Sequence, residues 1–218
     1  MQKKPIKLHL YPSSDYSPID NHDPMRFHYV PGYKDLYRER LIRCLGECRG
    51  GNRILEVGFG SGLTFANLSE MYEEIYGIEK NNPVNIAKTE KRFVNKGIHV
   101  HLTCGDLLEL PYRDCEFDTV LIISVLEHLQ PEQQVHAFKE LHRVIKPKGQ
   151  LVYGVPIERP MMTFFYRLLG YKIRNFHFSD HDTVRRNAEK SFAALEYENM
   201  NVFGLKPLSV YQVVNCQK

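Results

Sequence analysis

The chain has 218 residues, a formal net charge of +3, and a composition of 43% hydrophobic and 25% charged residues. That is the make-up of one folded globular domain; it excludes a disordered or fibrous chain and leaves no length for a second full domain. The weak positive charge is not gathered into a Lys/Arg run, no apolar run nears the roughly 18 residues of a membrane span, and residues 1–7 lack a signal peptide's apolar core, so nucleic acid is not an expected partner and a cytoplasmic location is expected.

Residues 1–32 contain Tyr11-Pro12, Ser17-Pro18, Asp23-Pro24 and Pro31-Gly32, breakers that predict an irregular arm, 1–35, ahead of a single domain, 36–218. Apolar positions then recur at helical spacing over 36–48 and stop at Gly50-Gly51. From there strands are expected over 53–59, 74–79, 99–106, 117–125 and 150–156. Helices are expected between them over 63–72, from the Asn82-Pro83 start to Gly97, and over 131–145, where Pro147 and Gly149 halt the chain. Short apolar strands joined through helices predict a parallel sheet buried between helices on both faces. Beyond it an aromatic and basic stretch, 159–178, leads to a helix whose start, Ser179 to Asp182, fits a capping box. The runs 195–204 and 209–216 lie so close together that they predict an antiparallel hairpin on the sheet's edge.

Of the five cysteines, only Cys44 and Cys48 are close, one helical turn apart on an apolar stripe with Leu41 and Leu45. No second Cys/His pair completes a metal site, so buried thiols are expected and no metal is assigned.

The first strand runs into "GFGSG", 58–62, with Glu56 just ahead of it. A glycine-rich turn between a parallel strand and a helix lets a ligand approach the backbone with no Cβ in the way. A dinucleotide fingerprint needs a glycine at 63, where Leu63 stands, and the third glycine comes one residue early at Gly62. Glu79, ending the next strand, suits two ribose hydroxyls and serves either ligand class. Glu56 suits a ligand amine or the fixing of the loop, and is badly placed for a pyrophosphate.

Taken in order, "ILEVGFGSG", "GIEK", "CGDLLELPYRDCEFDTVLIISVLEHL" and "LHRVIKPKGQLVYGVP" resemble the class I S-adenosylmethionine-dependent methyltransferases. The resemblance covers roughly residues 50–156 and points to the small-molecule group with Leu-Glu-His after the fourth strand. It implies a three-layer, Rossmann-like, seven-stranded, mostly parallel α/β sheet ending in an antiparallel hairpin. It implies S-adenosylmethionine as cofactor, with Gly58, Gly60 and Gly62 facing its methionine and ribose and Glu79 holding the ribose hydroxyls. The Gly105-Asp106-Leu107 turn would meet the adenine, Asp106 accepting from its amino group, and Ser124 and Val125 would border the sulfonium. Lys80 stands where an apolar residue is usual, so the adenine's apolar face falls to Ile78, Leu107 or the lysine stem.

Methyl transfer from a sulfonium asks the protein mainly to align two partners and keep water out. For a hydroxyl acceptor a base helps, and His128 stands in position for that role or for local packing; Glu127 reads as a loop anchor. His177 and His181 with Asp180 and Asp182 straddle a helix start, which accounts for the acids as caps rather than as metal ligands. His22 and His28 sit in the arm, as part of a lid or packed against the domain. The segment 157–180, with Met161, Met162, Phe164 and Tyr166 among Arg159 and Arg167, is expected as a lid or as a core helix. As a lid it suits a small organic acceptor of lipid-linked, glycan or quinone-like character, and its basic residues suit an anionic group or peripheral membrane contact. A nucleic-acid methyltransferase would need an Asn/Asp-Pro-Pro-aromatic tetrad where "SVLEHL" stands. A non-catalytic binding or scaffold protein is the alternative from another class, and the glycines and Glu79 weigh against it.

Overall fold

The computed structural model describes residues 6–18, 23–157, 178–201 and 209–218. Within them the apolar runs bounded by glycine and proline become strands: β1 Gly51–Val57, β2 Tyr72–Glu79, β3 Val100–Cys104, β4 Phe117–Ile123, β5 Ile145–Pro156, β6 Ala194–Asn201 and β7 Ser209–Gln217. Helices α1 Lys34–Glu47, α2 Phe65–Leu68, α3 Pro83–Val94, α4 Pro131–Val144 and α5 His181–Ala188 connect or flank them. Among the described residues the seven strands form one sheet in the order β3-β2-β1-β4-β5-β7-β6. The first five pair in parallel, and β7 pairs antiparallel with both β5 and β6, so the hairpin closes the edge as expected.

The period of two along each strand divides the core. Ile54, Leu121, Val152, Tyr211 and Val213 join α1, α2 and α3 on one face. Leu55, Val57, Val120, Ile122, Tyr153 and Val214 join α4 and α5 on the other. Each such aliphatic chain, fully buried, contributes about 1.5–3 kcal/mol, which is why the sheet is apolar on both sides. The three-layer α/β architecture follows.

Local differences have local causes. The helix expected over 63–72 shrinks to α2 because Tyr72 is already in the sheet, paired with Gly51 and donating its hydroxyl to Thr119 Oγ1 at 2.9 Å. The fifth strand starts at Ile145 rather than 150, with a register shift against β4 that absorbs Pro147 and Gly149. The first strand stops at Val57 and the fourth at Ile123, because Gly58 and Ser124 turn to φ 73° and 57°. At α5 the cap is Asp180, whose carboxylate accepts from Thr183 N at 2.8 Å. Ser179, expected to start a capping box, instead donates to the Leu129 carbonyl at 3.1 Å.

Cys44 and Cys48 are buried, and burial pushes both thiols up. The arm is more ordered than its prolines suggest, forming 3-10 turns at Ser13–Asp15 and Pro24–His28. Tyr16, Met25 and His28 are buried, and Tyr29 donates to the Tyr11 carbonyl at 2.6 Å. Lys96 pairs with Asp15 at 2.6 Å, tying the arm to the end of α3. Most of 157–180, with His177, lies outside the described residues, as do His22 and the connection 202–208.

Candidate active site

The sheet order reverses between β1 and β4, so the chain leaves their carboxyl ends in opposite directions and opens a crevice there. The glycine turn and Ser124 sit on its two sides. Gly58, Gly60 and Gly62 all have positive φ, 73°, 52° and 76°, which is the first thing that turn requires of glycine. A Cβ on each would meet different neighbours. At Gly58 it would lie 2.3 Å from Val125 Cγ2, and at Gly62 2.6 Å from the Phe65 ring and 2.7 Å from Phe93. At Gly60 the first atom it would meet is a carboxylate oxygen of Asp23, at 3.4 Å. Two of the glycines therefore make room for packing, and the third faces the arm.

Glu79 ends β2 against this turn. One carboxylate oxygen accepts from Gly60 N at 3.0 Å and the other from Lys80 N at 3.0 Å. Exposed Lys80 reaches across to Asp106 at 2.7 Å, and Asp106 also accepts from Leu108 N at 2.9 Å. That backbone bond and the lysine hold the Asp106 carboxyl below its ordinary range, so it stands as an ionised acceptor. Ile78 and Leu107 are buried in the core, leaving Lys80 as the exposed side chain between the two acids. The ends of β1, β2 and β3 thus present a glycine, a carboxylate and a second carboxylate in a row.

Glu56 lies beneath the turn, only 3% exposed, and accepts from the Thr64 hydroxyl. Burial pushes its carboxyl up from 4.5 to about 8; the Thr64 bond opposes this and the Glu79 charge adds to it. Between those two pH values the folded chain holds a proton that the unfolded chain releases. Stability from this group is therefore full below about 4.5 and is lost as pH rises through about 8. Unfolding by urea at pH 5.5 and 8.5 should show the parent weakening more than Glu56→Gln between the two; equal weakening would contradict the buried, protonated carboxyl.

On the β4 side, Ser124 N donates to the Gly154 carbonyl at 2.8 Å and its hydroxyl shares a hydrogen bond with the Tyr211 hydroxyl at 2.8 Å. Tyr211 is fully buried, and Arg40 of α1 lies 4.9 Å from its ring centroid. The same guanidinium lies 4.4 Å from the Tyr37 ring, on which buried His28 packs edge-on at 5.5 Å. Burial and the charges of Arg40 and Arg38 push the His28 imidazole down to about 3, so it is neutral. Burial pushes the Tyr211 hydroxyl up, with Cys44 and the buried Glu127 adding to it, whereas His128 ends the Leu126–His128 turn exposed.

Gly58, Gly60, Gly62, Glu79, Lys80, Asp106 and Ser124 thus gather at the carboxyl edge, with Glu56 underneath and Leu107 in the core. Sequence reasoning missed Asp23, Ser61, Thr64 and Tyr211. Ser61 alternates with glycine within the motif and Thr64 follows two residues after it, and that closeness was the available signal. Asp23 and Tyr211 lie far from it in the chain and gave none.

Residues 55–153 match the family described as methyltransferase domain. The chain is 28% identical over 160 residues to the ubiquinone biosynthesis O-methyltransferase of Bradyrhizobium diazoefficiens, covering 73% of this chain and 60% of that protein. It is 27% identical over 198 residues to the ubiquinone/menaquinone biosynthesis C-methyltransferase of Vibrio cholerae, covering 86% of this chain and 75% of that one. In fold it is similar to the N-methyltransferase NodS of Bradyrhizobium japonicum WM9, solved with S-adenosyl-L-homocysteine, at a TM-score of 0.66 and 20% identity over 92% of this chain and 94% of that one. In its domain match and its relatives the chain is thus similar to methyltransferases, and its seven-stranded sheet is the fold of a solved methyltransferase.

Proposed function

We propose that this protein transfers the methyl group of S-adenosylmethionine to a small organic acceptor carrying a ring of quinone or quinol type. The observation that carries the first half is the row of acceptors at the ends of β1, β2 and β3. Glu79 is held by the Gly60 amide, and Asp106 is held ionised by Leu108 and Lys80. These acceptors fit the cofactor: a carboxylate suits two ribose hydroxyls, a second ionised carboxylate suits the adenine amino group, and Gly60 puts no side chain over the backbone. Ser124, at the end of β4, would border the reacting end. The sulfonium supplies an activated methyl when the cofactor is bound.

The work left to the chain is alignment and exclusion of water. Buried Tyr211, bonded to Ser124, and the row of Arg40, Tyr37 and His28 wall the crevice on the arm's side. For a hydroxyl acceptor, His128, just beyond the end of β4, is the residue to which we assign removal of the proton. The names of the two quinone-pathway relatives support a ring-bearing acceptor, as does the aromatic segment 157–180.

The test is transfer of labelled methyl from S-adenosylmethionine to a panel of catechols, hydroxybenzoates and short-chain naphthoquinols, with a transfer RNA and a peptide mixture as controls. Label should appear in a ring compound. Label confined to the RNA or the peptides would overturn the acceptor class.

A further inference from the structure

The N-terminal arm delivers an acid to the glycine turn. Asp23 caps the Pro24–His28 turn, one carboxylate oxygen accepting from Met25 N at 2.9 Å. The other accepts from the Ser61 hydroxyl and is the atom that a Cβ on Gly60 would meet. One oxygen thus holds the arm's own turn and the other reaches the motif.

The turn behind Asp23 is fixed, so the carboxylate is aimed. Met25 and His28 are buried, Phe27 stacks on Tyr37 of α1 with centroids 5.1 Å apart, and Arg38 Nε donates to the His28 carbonyl at 2.8 Å. Glu56, the acid that the sequence offered either to a ligand amine or to the loop, is buried and engaged with Thr64 beneath the turn. Its geometry is that of the loop fastener. Glu79 is engaged with the Gly60 and Lys80 amides on the ribose side. Among the described residues, the carboxylate that meets Gly60 and Ser61 from the arm is that of Asp23.

We propose that Asp23 is a cofactor-binding residue carried in by the arm, its carboxylate accepting from the α-ammonium group of S-adenosylmethionine. This rests on the cofactor assignment given above. Of the cofactor's two positive charges only the ammonium has N–H donors, and a half-buried carboxylate gains most from a charged donor that it can hydrogen-bond. Because the same carboxylate caps the arm's turn, cofactor and arm bind as one unit.

The test uses the full chain and Asp23→Asn, in which the amide oxygen can still accept from Met25 N and the amide NH2 can donate to the Ser61 hydroxyl oxygen. Calorimetry with S-adenosylmethionine, S-adenosylhomocysteine and 5′-methylthioadenosine separates the groups, because the last keeps the nucleoside and loses the amino acid. The variant should melt with the parent in the absence of ligand. It should bind the first two ligands roughly tenfold or more weakly and methylthioadenosine as the parent does. Unchanged affinity for S-adenosylmethionine would overturn the proposal, and so would an equal loss for methylthioadenosine, which would make Asp23 a structural cap. A parent that binds none of the three overturns the cofactor assignment itself, and this proposal with it.

Discussion

Gly62→Val is expected to destabilise the fold by roughly 3 kcal/mol or more, before any ligand is considered. The residue has φ 76°, a region that a β-branched side chain does not tolerate, and its Cβ would come within 2.6 Å of Phe65 and 2.7 Å of Phe93. Both rings are fully buried, packed edge to face with centroids 5.0 Å apart, so neither has room to move aside. Against the roughly 5–15 kcal/mol that stabilises a typical domain this is a large fraction. Urea unfolding should show a lower midpoint, whereas Gly60→Ala, whose nearest neighbour is Asp23 at an ordinary 3.4 Å, should lose less stability and more cofactor affinity. Equal stability of Gly62→Val and the parent would mean that this glycine is not needed for packing.

Glu79→Ala is expected to weaken cofactor binding roughly a hundredfold, since it removes a charged acceptor for two hydroxyls at once. It also strips the Gly60 amide of its partner, at a cost of about 1 kcal/mol in stability. Calorimetry and thermal melting on the same samples separate the two effects. Parent-like affinity in the variant would remove Glu79 from the site.

Much of this arrangement was legible in the chain. The inner parallel strands β1, β4 and β5 are apolar runs because burial on both faces suppresses alternation, whereas β3, at the sheet's edge, keeps exposed positions; the Asn82-Pro83 start reappears as a cap whose side chain accepts from Val84 N at 2.9 Å. What failed was set by partners distant in sequence. Tyr72 reads as helical until its hydroxyl finds Thr119, and the Ser179 hydroxyl goes to Leu129 rather than to its own helix. The site divides in the same way. Glycine spacing and Glu79 are local signals, whereas the contact between Asp23 and Ser61 joins residues that only the fold brings together. For Glu56 the sequence leaves two roles open, and its burial against Thr64 is something no pattern of residue types records.

The central claim, that this crevice is built for S-adenosylmethionine rather than a dinucleotide, is tested most directly by titrating the parent chain with each ligand in a calorimeter. Carboxylates at Glu79 and Asp23 on the glycine turn favour a ligand with an ammonium and a sulfonium and oppose a pyrophosphate. S-adenosylmethionine should bind saturably with micromolar-order affinity while NAD releases no binding heat. Saturable binding of NAD with none of S-adenosylmethionine would contradict the account.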